Sequence, residues 1–316
     1  MALRSYSGGV TAAGLSPTPG FTIAHLSDTH FLGGSAKWGG VIDTDSQVES
    51  ALRQLKRSGR RPDAIVLTGD LTDLGEPDAY ARLRALVEPV ADELGAEIVW
   101  VMGNHDERGV YSRQLFDQEL PGRDEDHPQD RVYDVRGLRI IAFDSTVPGY
   151  HHGDIDEAQL RWLAEVLAEP APHGTLLALH HPPLETPLEL MNILQLRHRD
   201  ELAEVLRGSD VRAILGGHFH YSTFGLFSGI PVSVASATCT TMDLGAPRDE
   251  LRQIDALRSF SLVHVYPDGI THSTVPVDEY APLGGFGADV LARIEAMTPD
   301  EQLEAFSRKA PPAETP

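Results

Sequence analysis

The chain has 316 residues, 41% of them hydrophobic, which is enough for a large α/β core and too many for a disordered chain. Its formal charge of −21 argues against nucleic acid or an anionic membrane as the main partner, so an anionic substrate would need local positive charge such as bound metal. Cys239 is the single cysteine against fourteen histidines, which excludes an intramolecular disulfide and points any metal site toward nitrogen and oxygen ligands.

Residues 1–20 hold no continuous apolar stretch for a signal peptide, and no run approaches the roughly 20 apolar residues of a membrane span; a cytoplasmic protein is expected. Those first twenty residues, rich in Gly, Ser, Thr and Pro, are expected to form a loose arm. Phe21–Leu26 reads as a strand running into Ser27-Asp28-Thr29-His30. After a glycine-rich loop, Asp43 or Asp45 is placed to cap a helix whose apolar stripe is Val48, Leu52 and Leu55. Ala64–Leu67 is a second buried strand, and Gly69 lets the backbone turn so that Asp70 stands at the strand's carboxyl end. A helix from Pro77 to Gly95 follows, then strand Glu97–Met102, which opens into Gly103-Asn104-His105-Asp106. Three repeats of strand, polar motif and helix predict parallel βαβ units.

Residues 107–130 read as a helix and an acidic loop, and Arg131–Val135 with Leu138–Phe143 as a hairpin ending at Asp144. A helix over 155–168 leads to strand Thr175–Leu179 and His180-His181-Pro182-Pro183. Residues 184–197 resist assignment and are expected as a mobile loop near the site. A helix at 199–207 and strand Val211–Leu215 deliver Gly216-Gly217-His218-Phe219-His220. Four short strands between 221 and 275 are expected to be antiparallel, followed by helix around 288–308 and a Pro-rich tail. The expected organisation is an arm (1–20), one domain carrying the site (21–275) and a helical extension (276–316).

Five strand ends thus carry metal-suited groups: Asp28 and His30, Asp70, Asn104, His180, and His218 with His220. Singly, each is a common turn, cap or core histidine. Alternation along an extended chain is expected to place His218 and His220 on one side. Seven ligands exceed the need of one ion, and Asp70 is the natural bridge between two.

In this order the motifs Asp28-x-His30, Gly69-Asp70, Gly103-Asn104-His105-Asp106, His180 and Gly217-His218-x-His220 resemble those of the calcineurin-like metallophosphoesterases. Within that family the chain is similar to the bacterial class III cyclic-nucleotide phosphodiesterases, through these stretches, Pro148–Gly153 and Ser236-Ala237-Thr238-Cys239. The resemblance implies an α/β fold: an αββα sandwich of two mixed sheets flanked by helices, with a dinuclear site at the strand carboxyl ends. It implies hydrolysis of 3′,5′-cyclic AMP, with other cyclic nucleotides, to the 5′-monophosphate by a metal-bridging hydroxide. Asp28, His30, Asp70 and His220 would bind one ion and Asp70, Asn104, His180 and His218 the other, iron and manganese foremost, or zinc, cobalt or nickel. His180 rather than His181 is the ligand because the family uses the first histidine after that strand. His30, Asp70, Asn104 and His105 are the expected substrate contacts. His105 would stabilise phosphate charge and protonate the leaving group, with Asp73 as the second catalytic candidate; Asp73 and Asp106 are placed to orient ligands. The expected partners are a small cyclic nucleotide, no nucleic acid, and a second copy in a homodimer. Two other readings stay open: a glycerophosphodiesterase or phosphatase of the same fold, and a non-catalytic scaffold, which the complete ligand set disfavours.

Overall fold

The computed structural model describes residues 18–120, 127–277 and 281–309. Residues 1–17 of the arm expected over 1–20, part of the acidic loop and the tail beyond 309 lie outside the described residues. The chain divides into one compact unit of residues 19–278 and a second unit taking its two ends. In chain order the first unit runs β1 (Phe21–Leu26), α1 (Thr44–Arg57), β2 (Ala64–Thr68), α2 (Pro77–Leu94), β3 (Glu97–Val101), α3 (Arg108–Phe116), β4 (Arg131–Val135) and β5 (Leu138–Phe143). It continues β6 (Thr146–Val147), β7 (Tyr150–Gly153), α4 (Glu157–Leu167), β8 (Thr175–Leu179), α5 (Arg199–Leu206), β9 (Val211–Gly216), β10 (Thr223–Phe227) and β11 (Ile230–Val234). Short β12 (Thr241–Met242) and β13 (Gln253–Ile254) precede the long hairpin β14 (Ser259–Tyr266) and β15 (Gly269–Pro276). The described part of the second unit holds α6 (Ala288–Glu295) and α7 (Pro299–Phe306), the latter opened by a Thr298–Glu301 capping box.

Two sheets result, ordered β15-β14-β1-β2-β3 and β10-β11-β9-β8-β5-β4. Strand alternation sorts side chains into three layers. Ile23, Ala64, Val66, Val99 and Val101 of the first sheet meet Ile140, Ala142, Leu176, Ala178 and Leu215 of the second. The intervening residues face outward: Leu26, Ile65 and Leu67 pack on Val48, Leu52, Leu83 and Val87 of α1 and α2. Ile141, Leu177 and Ile214 likewise pack on Leu163 of α4 and Leu202 of α5. This is the expected sandwich of two mixed sheets between helices. Its helices start where the sequence marks them: Asp43 accepts from the amide of Ser46, and Asp156 and Gln159 form a capping box on α4.

The segment 221–275 forms the antiparallel pairs expected, β10 with β11 and β14 with β15, and the structure adds that the two pairs join different sheets: β10 and β11 complete the second, and β14 and β15 complete the first. β11 pairs parallel to β9, in register Val232↔Ile214, while β14 is antiparallel to β1. Short amphipathic strands encode a buried face but not which neighbour they pair with. Residues 184–197 contain a short 3₁₀ turn, Glu189–Leu194, and Leu196 bridges Gly153.

Candidate metal centre

β1, β2 and β3 run parallel in one sheet and β8 and β9 parallel in the other, and the five polar motifs lie where their carboxyl ends meet. The turns there are tight. Asp28, His30, Asp70, His218 and His220 all adopt positive φ, between 44° and 69°, a conformation uncommon outside glycine. His218 and His220 are therefore brought in by two left-handed residues, not by alternation along an extended strand as expected. The surrounding packing requires glycine. A Cβ on Gly217 would sit 1.9 Å from Ser27 Oγ, and one on Gly69, at φ +89°, would sit 2.6 Å from His180 Nδ1.

Each of the four imidazoles has one nitrogen tied to an oxygen outside the centre. His30 Nδ1 meets Asp73 Oδ1 at 2.9 Å and His180 Nδ1 meets the Thr68 carbonyl at 2.7 Å. His218 Nε2 meets the Leu194 carbonyl at 3.0 Å and His220 Nδ1 the Thr240 carbonyl at 3.1 Å. These contacts leave His30 Nε2, His180 Nε2, His220 Nε2 and His218 Nδ1 as the free donors. Asp70 Oδ2 lies 3.2 Å from His180 Nε2 and 3.5 Å from His30 Nε2, while its Oδ1 accepts from the His105 amide. His30 Nε2 and His220 Nε2 are 3.2 Å apart, and His220 Nε2 is 3.4 Å from Asp28 Oδ1. Asn104 turns its side-chain oxygen to within 3.1 Å of His180 Nε2. Ligand atoms of Asp28, His30, Asp70 and His220 thus cluster closely enough to hold a cation, as do those of His180, His181 and His218.

His181 is different. Its Nδ1 meets Ser145 Oγ and its Nε2 the His151 carbonyl, so neither nitrogen is free to ligate. Cys239 also approaches His220, but burial pushes its thiol pKa up, leaving a weak ligand. Electrostatics follow the carboxylates. Burial opposes charge on His180, yet Asp70 outweighs it and raises the imidazole to about 9. Burial likewise works against ionised Asp70, but His180, His105 and His30 hold its pKa well below the usual range. His181, buried beside His180, is pushed down to about 3.

His105 donates its backbone amide to Asp70 Oδ1, its Nδ1 donates to the Asp73 carbonyl at 2.8 Å, and its ring packs 4.8 Å from that of His30. Asp73, expected as a catalytic candidate, spends its carboxylate on His30, with Trp38 Nε1 at 3.4 Å, so its observed contact is with a ligand. Asp106 accepts from the amides of Leu71, Thr72 and Gly103 and from Tyr80 Oη, knitting two of the motif loops together without touching a metal-suited imidazole. The sequence reading missed His151, whose Nδ1 is 2.9 Å from Asn104 Nδ2 and whose ring lies 4.9 Å from His105. It also missed the carbonyls of Leu194 and Thr240, which no side chain announces.

Residues 21–222 match the model of the calcineurin-like phosphoesterase family, and the chain belongs to that family. It is 52% identical over 277 residues to a cAMP/cGMP dual specificity phosphodiesterase of Mycobacterium tuberculosis, covering 88% of this chain and 86% of the relative. A Rhodococcus erythropolis relative named "Probable cyclic nucleotide phosphodiesterase" is 49% identical over 268 residues, 85% of this chain and 87% of its own. A dimetal phosphatase of Danio rerio shares the fold, with TM-score 0.58 and 18% identity over 83% of this chain and 98% of that one.

Proposed function

We propose that this member of the calcineurin-like phosphoesterase family hydrolyses 3′,5′-cyclic nucleotides, cyclic AMP among them, to the 5′-monophosphate. What carries the reading is the position of Asp70 Oδ2, within 3.2 Å of His180 Nε2 and 3.5 Å of His30 Nε2, so that one oxygen can serve two ions. The names of the relatives, a cAMP/cGMP phosphodiesterase at 52% identity among them, support the choice of substrate.

On this reading Asp28, His30, Asp70 and His220 would hold one ion, and Asp70, Asn104, His180 and His218 would hold the other. Iron and manganese are our favoured pair, ahead of zinc, cobalt or nickel. Two such ions supply positive charge for the phosphoryl oxygens and acidify bound water. The chain's own groups do the rest. Asp73 and the Thr68, Leu194 and Thr240 carbonyls fix the tautomer and direction of each imidazole. His30, Asp70 and Asn104 border the space where the phosphate sits. His105 donates from Nδ1 to the Asp73 carbonyl, which leaves Nε2 as the nitrogen that, in the doubly protonated ring, gives a proton to the departing 3′ oxygen. The same ring places charge beside the phosphate.

Among the described residues, no helix is long and apolar enough to cross a membrane. A cytoplasmic homodimer completes the reading, tested by fractionation and light scattering. The deciding experiment is a panel of cyclic AMP, cyclic GMP, 2′,3′-cyclic AMP, bis-p-nitrophenyl phosphate, p-nitrophenyl phosphate and a glycerophosphodiester, with metal analysis of the same preparation. The 3′,5′-cyclic nucleotides and the bis ester should be turned over, with close to two ions per chain. Faster turnover of the monoester would replace this reading with a phosphatase, and preference for the glycerophosphodiester would replace the nucleotide.

A further inference from the structure

Beside the centre, a cleft of about 480 Å³ opens between the loop after β2, the start of α3 and the β6–β7 hairpin. Asn104 and His105 both line it, and Asn104 also meets His180 Nε2 at 3.1 Å, so the cleft adjoins the space assigned to the phosphate. Its volume falls within the range of small-molecule sites. Two of its walls are apolar side chains left open to solvent: Leu74, 70% exposed, and Tyr150, 62% exposed. Nothing in the core requires them there, because neither belongs to a buried cluster. Placed at the mouth of a polar site, they offer apolar area that a ligand's flat ring could cover.

The charge of the cleft narrows what covers it. Arg108 is the one arginine or lysine among the lining residues, and it is occupied: Nε bonds Asp144 at 3.0 Å and Nη2 the Thr146 carbonyl at 3.0 Å. Asp73, Asp106 and Glu107 add negative charge to the lining. A second phosphate would therefore be repelled, whereas a flat, uncharged, aromatic group would be accepted on the tyrosine ring and the leucine side chain.

Resting on the phosphodiesterase reading above, we propose that Tyr150 and Leu74 form the platform for the substrate's purine base, holding the nucleoside in the cleft while its cyclic phosphate lies against the metal ligands. Neither residue reaches a reacting atom; both act on substrate binding. The hairpin then has two tasks, with Tyr150 facing the base and its neighbour His151 contacting Asn104.

The test crosses two changes. Wild type, Tyr150→Ala, Tyr150→Phe and Leu74→Ala are each assayed on cyclic AMP and on the methyl riboside 3′,5′-cyclic phosphate, which keeps sugar and ring phosphate but lacks the base. Loss of an aromatic platform should raise KM for cyclic AMP about tenfold in Tyr150→Ala, with kcat unchanged. Tyr150→Phe should behave as wild type, and Leu74→Ala should show a smaller rise. On the base-free substrate all four proteins should have the same KM. An equal loss on both substrates would make Tyr150 a support of the hairpin and overturn the platform, as would an unchanged KM in Tyr150→Ala. Failure of wild type on both cyclic phosphates, with turnover of other esters, would instead remove the phosphodiesterase reading on which the platform rests.

Discussion

Two buried polar regions lie along the same strands, and one histidine in each answers burial in the opposite direction. At the carboxyl rim, His180 sits against Asp70 and is raised to about 9. Between the sheets, His25 of β1 is equally buried but has no carboxylate beside it, and burial followed by His272 pushes it down to about 3. At the rim every ligand imidazole has an oxygen on its outer nitrogen. In the interior only His25 Nε2 is bonded, to Thr68 Oγ1 at 2.9 Å, and the other nitrogen and the hydroxyls of Ser233 and Ser261 have no partner among the described residues. A buried hydroxyl or neutral imidazole without a partner costs a few kcal/mol at most, whereas an unpaired buried charge costs far more. The interior tolerates loose polar groups because they stay neutral; the rim cannot, because Asp70 is held ionised there.

The most drastic way to break that contrast is Asp70→Ala. It removes the one oxygen set between both groups of ligands, so elemental analysis should find both ions gone and turnover of cyclic AMP should vanish. In the metal-stripped variant, the His180 imidazole should lose its titration near 9 and behave like His25, which NMR of the ring protons would read. Retention of one tightly held ion would show that the two groups of ligands are independent.

His105→Ala leaves the rim's ion pairs in place. Both ions should remain, while turnover falls by about 10²–10⁴ as a proton donor and charge stabiliser is lost. The loss should be larger on cyclic AMP than on bis-p-nitrophenyl phosphate, whose leaving group needs little protonation. Equal losses would restrict His105 to binding phosphate.

Interior histidine predicts an acid limb. The folded pKa of His25 is about 3, below its ordinary value near 6.5, so its contribution to stability is present above pH 6.5 and is lost as pH falls toward 3. Linkage with those values makes the change about 2 kcal/mol between pH 8 and pH 5. Denaturant titrations of wild type and His25→Gln should therefore converge by about that amount on acidification, and parallel curves would show His25 charged or absent from the linkage. The smallest effect is expected for Ser261→Ala. Deleting an unpaired buried hydroxyl should change stability by less than about 1 kcal/mol and leave activity untouched, whereas a large loss would reveal a partner.

Much of this could be read from the chain. Gly69-Asp70, Gly103-Asn104 and Gly217-His218 mark strand ends because apolar runs stop there, and the parallel βαβ rhythm predicts that those ends share a rim. Element limits such as α1, α4 and the β4–β5 hairpin follow from caps and alternation, which are local. The tertiary structure alone decided which sheet receives β10, β11, β14 and β15, since pairing depends on neighbours distant in sequence. It also decided that His180 is free and His181 is not, because Ser145 and the His151 carbonyl arrive from the link after β5 and the hairpin beyond it. The tautomers of His218 and His220 rest on carbonyls of Leu194 and Thr240, groups that every residue carries. Residue type sets which atoms can ligate; the folded backbone sets which nitrogen is left over to do so.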